Sequence, residues 1–405
     1  MAEKPIYAAG LDMGSGQTRL VVCVLEEGRL RLVGCGSAVS HGWLKGRIFD
    51  HRAVTGSVLA AISEAEATSG ISVDSAVVGV GGPTIRGANS RGVLEMGYVR
   101  EIDQSDIHRV MDFATRVQLP EDRMLLQLFP QDFVVDDHPG HRDPRRMEAA
   151  RLEINVHLVM TSVQEHNALV TAVNRAHLAV EETVFEGLAA CYAAVLPEER
   201  RQGIAVVDIG AQSTEMVVYY GDAMYLASSV KICGDHFTRD LAQGLCLDFE
   251  DAEQVKLEYG CALADTGASN VVVDLPTPEN REHRHAQLRF VHEILEARGV
   301  ELFRFVHSEL ARVGMENALL GGLFLTGGGA KLPDLCDVAE RVLQCQARFG
   351  LPCQTRHGEL SGIQHWPDSM NDPEWAVAAG LAMYSAKLKV QEKRVTGGWL
   401  GKLLK

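Results

Sequence analysis

Apolar and polar positions change rhythm many times along the chain, and two stretches change it in the same way. In the first, "IYAAGLDMGSGQTRLVVCVLEEGRLRLVGCGS" from Ile6, an apolar run ends at Asp12 and a turn carrying Gly14 and Gly16 follows. Two further apolar runs come after it, separated by a second turn. Runs of this length, bounded by glycine and acidic residues, predict three successive strands. The second stretch, "GIAVVDIGAQSTEMVVYYGDAMYLASSVKI" from Gly203, repeats the order of run, acid, glycine turn, run, turn and run. Both share the spacing D-x-G-x-x-x-T, as Asp12, Gly14 and Thr18 and as Asp208, Gly210 and Thr214, with an offset of 196 residues (208 minus 12). Two copies half a chain apart predict a duplicated domain.

Two Ala-rich segments, "VFEGLAACYAAVLP" (184–197) and "EWAVAAGLAMYSAKL" (374–388), predict helices whose small side chains let neighbouring backbones approach closely. Each follows the strand-turn-strand unit of its own half. A third glycine turn lies in "LLGGLFLTGGGAKLPDL" (319–335), where an apolar strand enters Gly327, Gly328 and Gly329, with a helix expected after Leu332 and Pro333. Backbone free of side chains there lets a flat ligand lie against the turn.

At 405 residues the chain exceeds one ordinary core, so two or more lobes are expected. The balance of 46% hydrophobic and 23% charged residues is that of a folded chain. A net charge of -15 argues against a broad nucleic-acid surface and restricts any membrane contact to a local segment. Nine cysteines without a C-x-x-C pair indicate neither a disulfide framework nor a zinc site, and read as buried thiols in a reducing compartment. The opening "MAEKPIYAAG" lacks a signal-peptide apolar core, and no apolar run approaches the ~18 residues that span a bilayer. A cytoplasmic protein is expected.

Glycine turns that aim several N–H groups at one point suit a phosphate, although they suit any tight hairpin as well, and Gly14 and Gly16 are expected to take positive φ. Two such turns facing each other would hold the phosphates of a nucleotide. Gly14, Ser15, Gly16, Gln17 and Thr18 would act on one side and Gly210, Ala211, Gln212, Ser213 and Thr214 on the other. Asp12 and Asp208 suit a Mg²⁺ ion held through its waters, since magnesium meets protein through one or two carboxylates. Glu186, at the head of the first Ala-rich helix, would polarise a water toward the γ-phosphate, completing a catalytic set with Asp12 and Asp208.

Two D-x-G hairpins, two Ala-rich connecting helices and a T-G-G-G turn, in this order, resemble the phosphate 1, connect 1, phosphate 2, adenosine and connect 2 motifs of the actin-like ATPase superfamily. Within it the chain resembles the FtsA family. The resembling stretches are "GSAVSHGWLKGRIFD", "LQLFPQDFVVDD" followed by "LEINVHLVMTS", and "GDHFTRDLAQGL" running into "EDAEQVKLEYGCA". The resemblance implies an α/β actin-like ATPase fold, with two duplicated lobes around a nucleotide cleft and an FtsA-type 1C subdomain. The implied division is 1–83 for the first part of 1A, 84–161 for 1C, 162–202 for the return of 1A and 203–230 for the first part of 2A. Then follow 231–304 for 2B, 305–371 for the return of 2A, 372–390 for the closing helix of 1A, and 391–405 for a linker and amphipathic membrane segment.

The same resemblance implies ATP with Mg²⁺, filament formation by self-association, binding of the FtsZ C-terminal tail, and later divisome partners meeting the 1C lobe. It places the protein peripherally on the cytoplasmic face of the inner membrane, at the division septum. By motif match, Glu253 and Lys256 in "AEQVK" contact the adenosine, and Arg284 and Arg298 grip the FtsZ tail. For Arg298 the alternative is a solvated helix face on which Glu293, Glu296 or Glu301 pairs with it. The second turn, "DIGAQSTE", is poorer in glycine than is usual, which implies weaker nucleotide binding or slow hydrolysis. Two rival readings stand beside this one: a small-molecule kinase or phosphatase of the superfamily, and another actin-like scaffold such as a pilus-assembly or rod-shape protein.

The C-terminal "KLKVQEKRVTGGWLGKLLK" turns basic, with no acid after Glu392. Spacings of three and four put Trp399 or Leu400 with Leu403 and Leu404 on one helical face, and Lys402 supplies cationic charge beside them. That pattern suits an interfacial helix on anionic lipid. Gly397, Gly398 and Gly401 weaken the helix, so the anchor is expected to gain its strength through polymer avidity.

Overall fold

The computed structural model describes residues 5–221, 223–264, 271–276, 284–352 and 362–397, with side chains up to Glu392. The expected membrane residues Trp399, Leu400, Lys402, Leu403 and Leu404 lie outside the described residues.

In the first half, strands Ile6–Met13, Gln17–Glu26 and Arg29–Val39 form the expected antiparallel meander. Ser75–Val80 and Ala179–Phe185 extend it in parallel on one side, and Ile363–Gln364 on the other, giving six strands. Helices cover both faces, which is why Ile6–Met13 and Gln17–Glu26 read as apolar runs without alternation. The register shows the two faces. Gly36 lies across from Leu20 and Leu11, whereas Gly10 lies across from Val21 and so points the other way. A Cβ on Gly36 would sit 2.1 Å from the Ala61 carbonyl oxygen of helix His51–Ser69, and one on Gly10 would sit 2.3 Å from the Ala382 nitrogen of helix Ala376–Gly397.

The second half repeats the plan. Ile204–Ile209, Thr214–Tyr220 and Ala223–Val230 form the meander, with Gly322–Thr326 parallel to the first of them. Equivalent positions pair equivalently: Asp12 lies across from Arg19 and Met13 from Thr18, as Asp208 lies across from Glu215 and Ile209 from Thr214. Beyond Ala223–Val230 this sheet continues through Arg86–Glu101, Glu148–Ser162, Arg123–Val135 and His138–His141, for nine strands in all. The join is narrow, a single pairing of Ser228 with Arg86. The added strands and helix Gln104–Thr115 carry an apolar core of their own, around Leu94, Ile102, Val110, Leu152 and Ile154.

The Ala-rich segments form helices Glu186–Ala194 and Ala376–Gly397, and their small residues do bring backbones together. A Cβ on Gly380 would lie 1.8 Å from the Ala189 carbonyl oxygen. The closing helix runs on past residue 390 to Gly397, into the stretch expected as linker. Helix Leu288–Arg312 likewise continues unbroken through the expected boundary between 304 and 305. Among the described cysteines Cys23, Cys191 and Cys233 are buried, but Cys246 is exposed, so the reading of all nine as buried thiols is too broad.

Candidate functional site

The two acid-bearing turns meet. The Gln212 N–H donates to Ser15 Oγ at 3.0 Å, and a Cβ on Gly16 would lie 3.1 Å from that of Ala211. The third turn closes against them: Gly327 has φ +82°, and a Cβ there would fall 2.6 Å from the Ile209 carbonyl oxygen and 2.9 Å from Asp208 Oδ1. Glycine is required at that position for both conformation and space. Gly14 and Gly16 correct the expectation of positive φ, since neither adopts it. Gly14 is needed for room instead, because its Cβ would meet the Gln17 carbonyl oxygen at 2.8 Å.

Together the turns enclose a cavity of about 440 Å³, lined by Asp12, Gly14 to Gln17, Glu186, Asp208, Gly210, Ala211, Ser213, Glu253, Lys256 and Gly327 to Gly329. Thr18, Gln212 and Thr214 are not among its lining residues. Strand alternation explains the threonines: Asp12 and Arg19 share the cleft face, so their neighbours Met13 and Thr18 share the opposite one. Thr18 Oγ1 lies 2.8 Å from Ser40 Oγ. The Gln212 side chain turns out of the cleft and accepts from the Gly46 N–H at 3.1 Å.

Four carboxylates converge on the floor. Asp12, Glu186, Asp208 and Glu215 are all buried, and among the described residues Arg19 alone is buried with them as a Lys or Arg cation. Burial raises Asp12 to about 7, with the Asp208 charge adding to the rise and Arg19 opposing it. Burial also raises Asp208 to about 6, opposed first by the hydroxyl of Thr326, which donates to Oδ1 at 2.7 Å. Glu215 stands at about 8 through burial and the charge of Asp208, although the Gly82 N–H donates to it at 2.6 Å. Glu186 lies well above the carboxylate range for the same reasons, burial first and Glu215 second. Its Oε2 occupies the space of a missing side chain, 1.9 Å from where a Gly81 Cβ would be.

Arg19 and Glu215 were not anticipated from the sequence, and they complete the electrostatics. Arg19 pairs with Glu374 Oε2 at 2.7 Å, stacks over Trp375 at 5.4 Å, and keeps an unpartnered buried Nε. One guanidinium against this many buried acids leaves a site that a cation would suit. Among the described residues, no three His, Cys, Asp or Glu side chains are grouped to hold an ion jointly. Asp12 and Asp208 would meet a Mg²⁺ ion through its waters, as magnesium retains several of them.

On the far wall Lys256 Nζ pairs with Glu253 Oε2 at 2.6 Å and donates to Thr238 Oγ1 at 2.8 Å, while Thr238 donates to Glu253. Thr238, from helix Gly234–Leu245, is a further residue that the sequence did not single out. This helix is tied to the second turn, since the Gly234 and Asp235 N–H groups donate to the Gly210 and Ala211 carbonyls at 2.9 and 2.8 Å. Arg284 and Arg298 lie away from the cleft, against the same helix. Arg284 donates to the Leu245 and Cys246 carbonyls at 2.5 and 3.0 Å. Arg298 forks onto Asp240 at 2.5 and 2.8 Å and also reaches Glu301, whereas Glu293 pairs with Arg289 and Glu296 with Arg341.

The family model for cell division protein FtsA matches residues 205–380, and that for the SHS2 domain inserted in FtsA matches residues 82–160. Cell division protein FtsA of Pseudomonas aeruginosa is 32% identical over 376 residues, covering 93% of this chain and 88% of the relative. The chain belongs to the FtsA family. The FtsA of Escherichia coli K12 is 29% identical over 410 residues, with 97% and 96% of the two chains covered.

Solved structures show the actin-like fold of this FtsA-family chain. A PilM-PilN type IV pilus biogenesis complex superposes with a TM-score of 0.67 at 18% identity, covering 93% of this chain and 98% of that one. MreB5 of Spiroplasma citri bound to AMPPNP gives 0.56 at 13% identity, with 96% and 98% covered. The inserted strands from Arg86 onward fall within the residues that the SHS2 match covers.

Proposed function

We propose that this FtsA-family chain binds Mg²⁺ and ATP in the cleft, polymerises on the cytoplasmic face of the inner membrane at the division septum, and tethers FtsZ filaments there through the FtsZ C-terminal tail. Residues 84–161 are the lobe offered to later divisome proteins, and the subdomain division implied by the resemblance goes with this reading once helix Leu288–Arg312 is kept whole and the closing helix is carried to Gly397. The observation that carries it is the contact of Ser15 with Gln212, which sets two acid-bearing turns face to face in a chain of this family. The MreB5 neighbours, described as bound to AMPPNP and to ADP, support a nucleotide in the equivalent place.

Backbone N–H groups of Gly14 to Gln17, Ala211 and Ser213 are the phosphate ligands in this reading, the Gln212 N–H being held by Ser15 and that of Gly210 by the Ser213 carbonyl, and the Gly327 to Gly329 turn with Glu253 and Lys256 receives the adenosine. Mg²⁺, when bound, neutralises phosphate charge. Asp12 and Asp208 orient its waters. Glu186 stands on the cleft floor for a water beside the γ-phosphate, and Ala211 brings a side chain to the second turn where a glycine would leave bare backbone. This supports slow hydrolysis and a mainly structural role for the nucleotide. Arg284 and Arg298 meet the acidic FtsZ tail by exchanging part of their present partners for its carboxylates.

Membrane attachment rests on Trp399, Leu400, Lys402, Leu403 and Leu404. No described helix is long and apolar enough to cross a membrane. Co-sedimentation with anionic vesicles tests the tether, comparing the full chain with one ending at Gly397, which keeps the last helix whole. The full chain is expected to pellet, more strongly with Mg²⁺ and ATP, and to carry down an FtsZ tail peptide, while the shortened chain stays in solution. Equal pelleting of the two chains, or none by either, would overturn the tether.

A further inference from the structure

Behind the second turn, on the side away from the cleft, lies another cavity of about 810 Å³. Its lining brings together Lys45, Arg86, Lys231, Arg239 and Arg312, against the carboxylates Asp235 and Glu309. Such a concentration of positive charge is unexpected in a chain of net charge -15. Arg312 is engaged by Glu309 at 2.9 Å, and Arg239 lies 3.8 Å from Asp235. Lys45, Arg86 and Lys231 have no carboxylate partner among the described residues. Arg86 is fixed by donating to the carbonyls of Pro83 and Ile85 at 3.0 and 2.6 Å.

A second observation points the same way. Ser228 lines this cavity, is 7% exposed, and its hydroxyl has no hydrogen-bond partner among the described residues. Buried hydroxyls are ordinarily satisfied, so this one, occluded just beneath the lining of a cationic cavity, leaves a donor that a small shift of the lining would offer to an acceptor. Apolar residues of the lining, chiefly Pro83 and Val230, are fewer than its charged ones. The volume falls in the range of small-molecule sites, about 300–1,000 Å³.

We propose that this cavity is a second anion site, taking a small phosphate-bearing polyanion that does not enter the nucleotide cleft. Three unneutralised cations supply the attraction. The wall between the two sites is the second turn itself: Gln212 and Ser213 line this cavity, while Ser213 also lines the cleft and the Gln212 N–H holds Ser15. A ligand here therefore bears on the contact that joins the two halves.

Equilibrium dialysis of labelled pyrophosphate against the full chain tests this at about 0.15 M salt, where loose surface attraction is screened. It is run with and without a saturating non-hydrolysable ATP analogue, and repeated with a Lys45→Glu, Lys231→Glu double variant. Both substituted residues are exposed, and an unchanged melting temperature checks that the variant folds. One equivalent of pyrophosphate is expected to remain bound beside the analogue, with affinity at least tenfold weaker in the variant and binding of the analogue unchanged within twofold. Complete displacement by the analogue, or equal affinity in the folded variant, would overturn the site. Tighter binding of an oligoglutamate peptide than of pyrophosphate would overturn the ligand class. The comparison between parent and variant without analogue stands even if the cleft binds no nucleotide.

Discussion

His157 sits where the inserted strands meet the second lobe, and both of its ring nitrogens are used. Nε2 accepts from the Ala227 N–H at 2.9 Å, which makes Nδ1 the protonated nitrogen, donating to Asn89 Oδ1 at 2.6 Å. Burial first, then the charge of Arg312, lowers this imidazole to about 4 from 6.5. Between those values the unfolded chain binds more protons than the folded one, so stability falls as pH falls through the window, by about 3 kcal/mol in full. The raised carboxylates of the cleft titrate in the opposite sense. A His157→Gln variant isolates the histidine: in urea unfolding, its stability relative to the parent is expected to improve from pH 7 to pH 5. A constant difference would contradict the assignment.

Arg19 and Glu215 show which site residues could be read from sequence and which signal was passed over. Asp12, Gly14, Asp208 and Gly210 announce themselves because an acid ends an apolar run before a glycine turn. Arg19 and Glu215 stand 196 residues apart (215 minus 19), the same offset as the aspartates, and the register places each opposite its own aspartate. The duplication was thus sufficient to find them. Their opposite charges hid the equivalence. Thr238 was not accessible in this way, because only the packing of helix Gly234–Leu245 brings its hydroxyl to Glu253 and Lys256.

Among the elements, the Ala-rich helices were legible because small residues at helical spacing have a direct consequence in packing. Gly380 provides the test: its missing Cβ would lie 1.8 Å from the Ala189 carbonyl oxygen, so Gly380→Ala is expected to cost roughly 1–3 kcal/mol by forcing the helices apart. Gly56 is the contrast, lying within helix His51–Ser69 with nothing within 4 Å of its added Cβ. Gly56→Ala is expected to stabilise by about 0.5–1 kcal/mol through helix propensity. Thermal unfolding of both variants decides, and shifts of equal sign would contradict the packing account. The long insert was harder to place, because strand Arg86–Glu101 reaches the second sheet through one pairing with Ser228, a contact between distant parts of the chain that no local pattern announces.

At the scale of the molecule, two copies of one strand-turn-strand unit supply two walls, and the residues that differ between copies supply the asymmetry. Helix Glu186–Ala194 packs beside both sheets, its head carrying Glu186 to the floor, and helix Ala376–Gly397 packs on it. The glycine turn after Gly322–Thr326 then closes the top. The account predicts one ligand touching all three turns at once, which hydrogen exchange reads directly. With Mg²⁺ and ATP, amide protection is expected to rise together in residues 12–18, 208–215 and 327–331 of the full chain. Protection confined to one turn, or absent from all three while ATP is bound, would contradict the shared cleft.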